Sequence, residues 1–194
     1  MRKTFFFVTA VAALLLTVPT QNAQAQSSSE TPKMEIGVQY TLLRLRDFDT
    51  TDNGVGTRVT YNIGNPLSIE GEFNYFPQSR PNFANNFLSV DSKRSQGLFG
   101  VKYGLRSENF GIFSKIRPGF IHFSQGTPLL PGATSDTEFA LDFGGVFEYY
   151  PQRSVAFRID IGDTLIRFSN PNLVTNPTFR HNLQIGAGVA FRFK

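Results

Sequence analysis

The chain has 194 residues, of which 19 are basic and 15 acidic, and its formal net charge is +4. Basic residues are interspersed with acidic ones and form no run, which argues against a nucleic-acid-binding protein. The absence of cysteine excludes disulfides, a thiolate metal site and the lipid-modified cysteine of a lipoprotein. With 21 Phe, 6 Tyr and 17 Gly among short alternating segments, the composition favours an all-β protein.

The first 25 residues have the three parts of a secretory signal peptide. Two basic residues precede an apolar run at 5–18, and residues 23–25 (Ala-Gln-Ala) have the pattern of a cleavage site. The apolar run is shorter than the ~20 residues that a membrane-spanning helix needs. We therefore expect residues 1–25 to be removed on export, leaving a chain that begins with a polar leader at 26–33.

After the leader, eight segments of roughly 9–14 residues carry apolar side chains at alternate positions. This period of two is typical of a strand with one apolar and one polar face. Such strands are long enough to cross a bilayer at a tilt, which takes about 9–11 residues. In the last segment, for example, Leu183, Ile185 and Val189 alternate with Gln184 and Gly186. The predicted strands are 34–44, 55–63, 67–76, 95–104, 110–123, 137–150, 154–162 and 181–194.

Short and long connections alternate strictly along the chain. In an antiparallel up-and-down sheet this places the short turns at one end and the long loops at the other, as in outer-membrane barrels. Pro118, inside the fifth predicted strand, has no N–H for the ladder, so we expect a bulge or a bend there. The short connections are 64–66, 105–109 and 151–153, and the long ones are 45–54, 77–94, 124–136 and 163–179.

The polar faces of these strands predict which side points inward. They carry many glycines, such as Gly37, Gly100 and Gly162, which suit the crowded interior of a narrow barrel. Their charges nearly balance, as buried ions must, and aromatic residues near the strand ends of the apolar face suit a membrane–water boundary. The alternative is a soluble, lipocalin-like barrel with apolar residues inside. The predicted interior charge network comprises Glu35, Arg58, Glu70, Glu72, Lys102, Lys115, Arg117, Glu138, Asp142, Glu148, Arg158, Asp160 and Arg192.

In its strand count and its alternation of turns and loops, the chain resembles the small eight-stranded outer-membrane β-barrels, which include the OmpA transmembrane domain and OmpX. The tail at 186–193 (GAGVAFRF) contributes to the resemblance. The resemblance implies an all-β fold, an eight-stranded antiparallel up-and-down transmembrane barrel over 34–194, in the bacterial outer membrane. It also implies that Phe191 and Phe193 form the signal recognised by the barrel-assembly machinery. The interior salt bridges of the family would map onto Glu70, Glu72, Lys102, Arg117, Glu138 and Arg158.

One segment suggests an enzyme instead. His122-Phe123-Ser124, with Glu138 on the next strand, is similar to the His, Ser and Glu of lipid A deacylases of the PagL type. Such chemistry requires a base to take the Ser proton and a carboxylate to orient that base. However, Glu138 is predicted on the opposite face, and Gln125 replaces the Asn that usually follows the Ser. The prediction is therefore a barrel with no catalytic residues, and the deacylase is the alternative.

Neither a metal nor a cofactor is predicted. The acidic stretch at 47–54 lacks the fixed ligand spacing of an EF-hand loop. Its Asn53-Gly54 step suits a tight turn. His181 has no neighbouring ligands in the sequence.

The predicted role is structural or a surface interaction, carried out by a monomer. Its expected partners are outer-membrane lipid and an extracellular ligand at the four long loops, where Phe83 and Phe87 are candidates for the contact. A narrow gated pore is a variant of this role, and its opening would require rearranging pairs such as Glu72 with Lys102 or Arg117. No nucleic-acid partner is expected.

Overall fold

The structure is a computed structural model and describes residues 32–45, 50–77, 79–81, 89–91, 93–124, 136–168 and 178–194. In these parts of the chain the backbone forms ten β-strands. None of the described residues belongs to a helix with the length and hydropathy needed to span a membrane. The strands are β1 (Met34–Leu45), β2 (Thr50–Asn62), β3 (Leu67–Phe76), β4 (Ser79–Pro81), β5 (Ser89–Asp91), β6 (Arg94–Arg106), β7 (Phe110–Phe123), β8 (Asp136–Gln152), β9 (Val155–Phe168) and β10 (Thr178–Phe193).

Eight of these strands form a closed antiparallel barrel in the order β1-β10-β9-β8-β7-β6-β3-β2. The barrel closes where β1 pairs with β10, from Met34 opposite Phe193 to Leu45 opposite Asn182. Closure leaves no open sheet edge, which a lipid environment requires because lipid cannot hydrogen-bond a strand. The prediction of an eight-stranded up-and-down barrel is confirmed.

Alternation of exposure identifies the two faces of the barrel wall. Along β1, burial alternates residue by residue, with even-numbered apolar residues such as Val38 outside. On β6, Phe99 and Tyr103 are 63% and 61% exposed, whereas Lys102 between them is fully buried. Apolar side chains therefore point outward and ions inward, which is the arrangement of a transmembrane barrel and the reverse of a soluble one.

Strand ends were harder to predict than strand centres. The strands at 67–76 and 110–123 match β3 and β7, but β2 begins at Thr50 instead of 55 and β9 continues to Phe168 instead of 162. The predicted loops at 45–54 and 163–179 are correspondingly too long. The tight turn at Asn53-Gly54 is also wrong, because both residues lie within β2 and pair with β1.

The predicted loop at 77–94 contains a small separate sheet, in which Ser79 of β4 pairs with Asp91 of β5. Phe83 and Phe87, the candidate contact residues of this loop, lie outside the described residues, as do 46–49, 125–135 and 169–177.

The bulge expected at Pro118 is not found. Leu98 pairs with Gly119 and Val101 with Ile116, so the ladder between β6 and β7 is interrupted beside Pro118 but resumes in the same register. Gly100 helps to explain this, since a Cβ on it would lie 2.6 Å from the Cα of Arg117. A close approach of the two strands, allowed by the glycine, replaces the bulge; the register shift occurs instead between Tyr149 and Gln152.

Candidate functional site

The interior of the barrel is where the predicted charged residues lie. Of the thirteen, all but Arg192 are buried, and the Arg192 side chain is only 5% exposed. Glu138 is buried at the long-loop end, opposite Ile121 in the register of β7 and β8. Ten of the others form a continuous network at mid-height, with five carboxylates and five cations: Glu70, Glu72, Asp142, Glu148, Asp160, Arg58, Lys102, Lys115, Arg117 and Arg158.

Arg117 contacts four carboxylates of this central network, which lie on three different strands. Its Nη1 lies 2.6 Å from Oε2 of Glu72, and its Nη2 lies 2.6 Å from Oδ2 of Asp142. Weaker approaches of 3.6 Å join the same guanidinium to Glu70 and Asp160. Such forked, charge-assisted contacts are the geometry in which arginine binds carboxylates most strongly.

Arg158 crosses the lumen to the opposite wall. Its Nη1 and Nη2 donate to the two oxygens of Glu70 at 2.5 and 3.0 Å, and Nη2 also donates to Asp160 at 2.7 Å. Strands β9 and β3, which carry Arg158 and Glu70, are separated by three strands on either side of the barrel. One ion pair therefore spans the full width of the lumen.

The two lysines complete the pairing. Lys102 Nζ lies 2.5 Å from Oε1 of Glu148 and 3.5 Å from Glu70, and Lys115 Nζ lies 2.7 Å from Oδ2 of Asp142 and also contacts Asp160. Of the pairs considered for gating, the one between Glu72 and Arg117 is present. Lys102 approaches Glu148 and Glu70 rather than Glu72.

Glycine on the inner face makes room for these ions. A Cβ placed on Gly162 of β9 would lie 2.5 Å from Oδ1 of Asp142 and 3.0 Å from Nζ of Lys115. Since atoms in real side chains essentially never approach a Cβ so closely, any larger residue here would displace the ion pair.

A layer of neutral polar side chains lies next to the ions, towards the long-loop end. Asn74 donates to Glu72 at 2.7 Å and to Gln96 at 3.0 Å, and Gln96 donates to Gln184 at 3.1 Å. Thr164 donates to the same Gln184 oxygen at 3.0 Å. Strands β6 and β10, which carry Gln96 and Gln184, are also opposite each other, so this layer crosses the lumen a second time.

At the short-turn end, a smaller cluster surrounds Glu35. The Oε1 of Glu35 lies 3.3 Å from Nε of Arg192 and 3.7 Å from Nη2 of Arg106, and it accepts a hydrogen bond from Asn62 at 3.0 Å. The guanidinium of Arg192 also lies 4.1 Å from the ring centroid of Tyr150. Arg106 is not among the predicted interior residues, because the predicted strand 95–104 ends two residues before it, although the alternation from Lys102 continues to Arg106.

The long-loop end of the lumen contains an apolar cluster, which the alternating pattern of the sequence does not predict. The buried cluster there comprises Leu43, Leu45, Phe76, Leu98, Ile121, Phe123, Ala140 and Ile166. Beside it, Asp52 and Arg94 form an ion pair with 1% exposure on each side chain. Both residues lie in predicted loops, although the alternation from Arg58 back through Gly54 points to Asp52 as inward-facing.

The residues of the alternative enzyme site do not come together. His122 faces outward, and its Nδ1 is 2.9 Å from the hydroxyl of Thr137, whereas Glu138 faces the lumen. The Ser124 hydroxyl donates to the carbonyl oxygen of Lys93 at 2.5 Å. Among the described residues, the Ser124 hydroxyl thus donates to Lys93 rather than to His122, and Nδ1 of His122 contacts Thr137 rather than a carboxylate.

The described residues contain no cluster of three or more His, Cys, Asp or Glu side chains arranged to hold a metal ion. His181 contacts one carboxylate, with its Nδ1 2.6 Å from Oδ2 of Asp163. The charged side chains of the interior pair with one another, and these pairs hold opposite walls of the barrel together.

The chain is similar to known proteins in sequence profile and in fold. The sequence profile of the family described as "Outer membrane protein beta-barrel domain" matches residues 10–193. Neisserial surface protein A is 14% identical, with 82% of this chain and 96% of that one covered and a TM-score of 0.53. The attachment invasion locus protein Ail of Yersinia pestis, in complex with the heparin analogue sucrose octasulfate, is 12% identical, with the same coverage and a TM-score of 0.51. At these identities the likeness shows the fold alone, and no curated protein matches the sequence.

Proposed function

Because this chain belongs to the family of outer-membrane β-barrel proteins, we propose that it is a non-enzymatic barrel of the bacterial outer membrane. Its role is structural, or it contacts an extracellular partner through the four long loops. The proposal assigns no reaction to the barrel, since fold alone does not define function and a site must be argued from its residues.

The observation that carries this proposal is that the ten central ions pair with one another across the lumen and so hold the wall together. The pair between Arg158 and Glu70 and the hydrogen bond between Gln96 and Gln184 both connect opposite strands. Pairs of this kind give the interior side chains a structural role. The geometry of His122 and Ser124 gives no support to hydrolysis of an acyl chain.

The side chains that fill the lumen support a closed barrel that does not conduct ions. An ion entering from the long loops would meet the apolar cluster around Phe76 and Ile121 and then the ion network. Passage would require both layers to rearrange, including the contact between Glu72 and Arg117. Planar-bilayer recordings should therefore show no stable conductance, and steady openings would contradict the closed state.

Export and assembly are part of the proposal. Residues 1–25 direct export and are cleaved, and the exposed Phe191 and Phe193 on β10 are recognised during barrel assembly. The barrel then functions as a monomer in outer-membrane lipid. Mass measurement of the protein from isolated membranes tests the first step, since cleavage after Ala25 leaves Gln26 as the first residue.

Membrane fractionation combined with mass analysis of lipid A tests the function. We expect the protein in the outer-membrane fraction and an unchanged mass of lipid A in cells that produce it. Loss of an acyl chain that disappears in the Ser124→Ala variant would overturn the non-enzymatic role. Recovery of the folded protein in the soluble periplasmic fraction would overturn the membrane location.

A further inference from the structure

We propose that a groove on the outer face of the barrel binds a membrane lipid whose acyl chain carries a hydroxyl group, which donates to the carbonyl oxygen of Phe99. The groove, called here the Phe99 groove, is lined by Thr57, Phe73, Phe99, Pro118, Phe120 and Phe139 together with neighbouring glycines. The inference goes beyond the proposed function and rests on it only for the location of the outer face in lipid.

Pro118 removes one hydrogen bond from the barrel wall. The ladder between β6 and β7 is paired on both sides of Phe99 and Gly100 but not at these two residues. Between β7 and β8 the ladder runs through Pro118 without a gap, with Pro118 opposite Leu141. The nitrogen of Pro118 therefore faces β6, where an N–H would donate to the carbonyl of Phe99. Since proline has no N–H, this carbonyl lacks the ladder donor that its neighbours have.

The position of this carbonyl makes the missing hydrogen bond costly. Phe99 lies near the middle of β6, and its side chain is exposed on the outer face. On the lumen side, the guanidinium of Arg117 binds Glu72 and Asp142. Hydrocarbon offers no donor, so a backbone carbonyl without a partner is unfavourable in it. A ligand that dissolves in hydrocarbon and brings a donor removes this cost.

Two glycines open a track in the outer face next to this carbonyl. Gly71 of β3 pairs with Phe99, so Gly97 of β6 is its diagonal neighbour on the same face. A Cβ on Gly97 would meet no atom of the described residues within 4 Å, and a Cβ on Gly71 would lie 3.9 Å from the Phe99 ring. The exposed rings of Phe73 and Phe99 border the track. A hydrocarbon chain can therefore lie between two aromatic rings.

The shape of the Phe99 groove favours a chain with its hydroxyl group near the middle. The groove crosses β2, β3, β6, β7 and β8, which are consecutive in the barrel, and has a volume of about 690 Å³. Four strand spacings of about 4.8 Å give it a width of roughly 19 Å. Phe99 lies on β6, the central strand of the five. At one end, the rings of Phe120 and Phe139 pack edge to face with their centroids 6.2 Å apart.

The carbonyl of Phe99 can be observed by NMR, because Phe is followed by Gly at three places: 99–100, 110–111 and 143–144. Labelling Phe carbonyls with ¹³C and Gly nitrogens with ¹⁵N gives one correlated signal for each. The purified full barrel in detergent is titrated with a phosphatidylcholine that carries a hydroxyl group at mid-chain. We expect the signal of Phe99 and Gly100 to shift, while the other two signals stay in place as internal controls.

Two further lipids test the donor itself. The same phosphatidylcholine without the hydroxyl group should bind about tenfold more weakly, which corresponds to one hydrogen bond. The methyl ether of the hydroxylated lipid cannot donate, and it should bind as weakly as the plain lipid. Affinities are obtained from the shift of the Phe99 signal against lipid concentration.

Three variants locate the ligand. Pro118→Ala restores the N–H opposite Phe99, so the preference for the hydroxylated lipid should fall to within about twofold. Gly97→Leu fills the track and should abolish the shift caused by either lipid. Gly145→Leu adds the same side chain to an outward glycine of β8, where the nearest atom to the new Cβ is 3.9 Å away, and should leave both affinities unchanged.

Equal affinity for the hydroxylated and the plain lipid would overturn the inference, as would a hydroxyl preference that persists in folded Pro118→Ala. Equal shifts of all three signals would also overturn it, since they would place the lipid over the whole outer face. If Pro118→Ala does not fold, the methyl ether tests the donor in the unchanged protein. Loss of an acyl chain from the lipid during the titration would instead contradict the proposed function, since it reports catalysis and not binding.

Discussion

Arg158 and Glu70 lie on opposite walls of the barrel and are joined by two hydrogen bonds, of 2.5 and 3.0 Å. Between their strands lie β8, β7 and β6 on one side and β10, β1 and β2 on the other. The lumen is therefore narrow enough for one arginine to cross it, as expected for eight strands, whose interior is just filled by side chains. This relation makes the stability of the wall depend on ions that have no contact with the membrane.

Removing one cation from the central network should be costly. Arg117→Met leaves the buried carboxylates of Glu72 and Asp142 without their 2.6 Å partner. Breaking a buried pair in this way costs about 3–5 kcal/mol, because the remaining charge is not compensated. Urea unfolding of the barrel in lipid vesicles measures the change in the free energy of unfolding.

A balanced double variant provides the control for that prediction. Arg117→Met combined with Asp142→Asn removes one charge of each sign, so it should be less destabilised than the sum of the two single variants. Arg153→Met, on the exposed turn, should be nearly neutral. A cost below about 1 kcal/mol for Arg117→Met would show that the network contributes little, as for surface pairs.

A charge placed on the outer face tests which side meets lipid. Phe99 lies near the middle of β6 and is 63% exposed, so Phe99→Arg should destabilise the barrel by about 2–4 kcal/mol in vesicles. Leu105→Arg, at the short-turn end of the same strand, should cost only about 0–1 kcal/mol. The two variants are compared by urea unfolding in the same vesicles; equal tolerance at both positions would indicate that the outer face is in water.

Glycines on the two faces should respond oppositely to the same substitution. Gly162→Ala forces the ion pair of Lys115 and Asp142 to move and should cost about 1–3 kcal/mol. Gly145→Ala points outward, where the nearest atom to the new Cβ is 3.9 Å away, so it should be neutral or stabilising by up to about 1 kcal/mol. If both alanines gave the same unfolding midpoint, crowding of the interior would not explain its glycines.

The apolar cluster at the long-loop end should behave as a packed core. Phe76 is fully buried in it, and Phe76→Ala should cost about 3–5 kcal/mol, since truncation leaves a cavity. Phe76→Leu retains most of the volume and should cost less than about 1.5 kcal/mol. Denaturant unfolding separates the two; a larger loss for the leucine variant would mean that packing is not the cause.

Alternation of residue types was sufficient to find the eight barrel strands, because every strand has one face in lipid and one in a polar lumen. The same reasoning failed where the two faces become alike. Thr51, Asp52 and Asn53 are polar on both faces, and Leu165 and Ile166 are apolar on both, since the lumen is lined by the apolar cluster at that level. Strand ends were lost at these places.

The alternate positions along each strand and the charge of the side chains indicate which residues point inward. They do not indicate which of these residues bind each other. Lys102 contacts Glu148, which is two strands away, and Glu70 on the adjacent strand β3. The spacing of residues along one strand identifies neither partner. The pairs depend on the stagger of the strands around the barrel, which couples residues far apart in the chain. The pair of Asp52 and Arg94 is not predicted for a simpler reason, since both residues lie in predicted loops.

The alternation also determines how the chain behaves before it folds. An unbroken apolar stretch of about 20 residues partitions into the first bilayer it meets, but along these strands a Glu, Arg, Lys or other polar residue interrupts the apolar ones repeatedly. An unfolded chain of this kind stays hydrated while it passes through an aqueous compartment. It becomes compatible with hydrocarbon only when closure gathers the polar side chains of its strand centres on the inner surface, so insertion into the bilayer depends on completing the fold and not on any one strand.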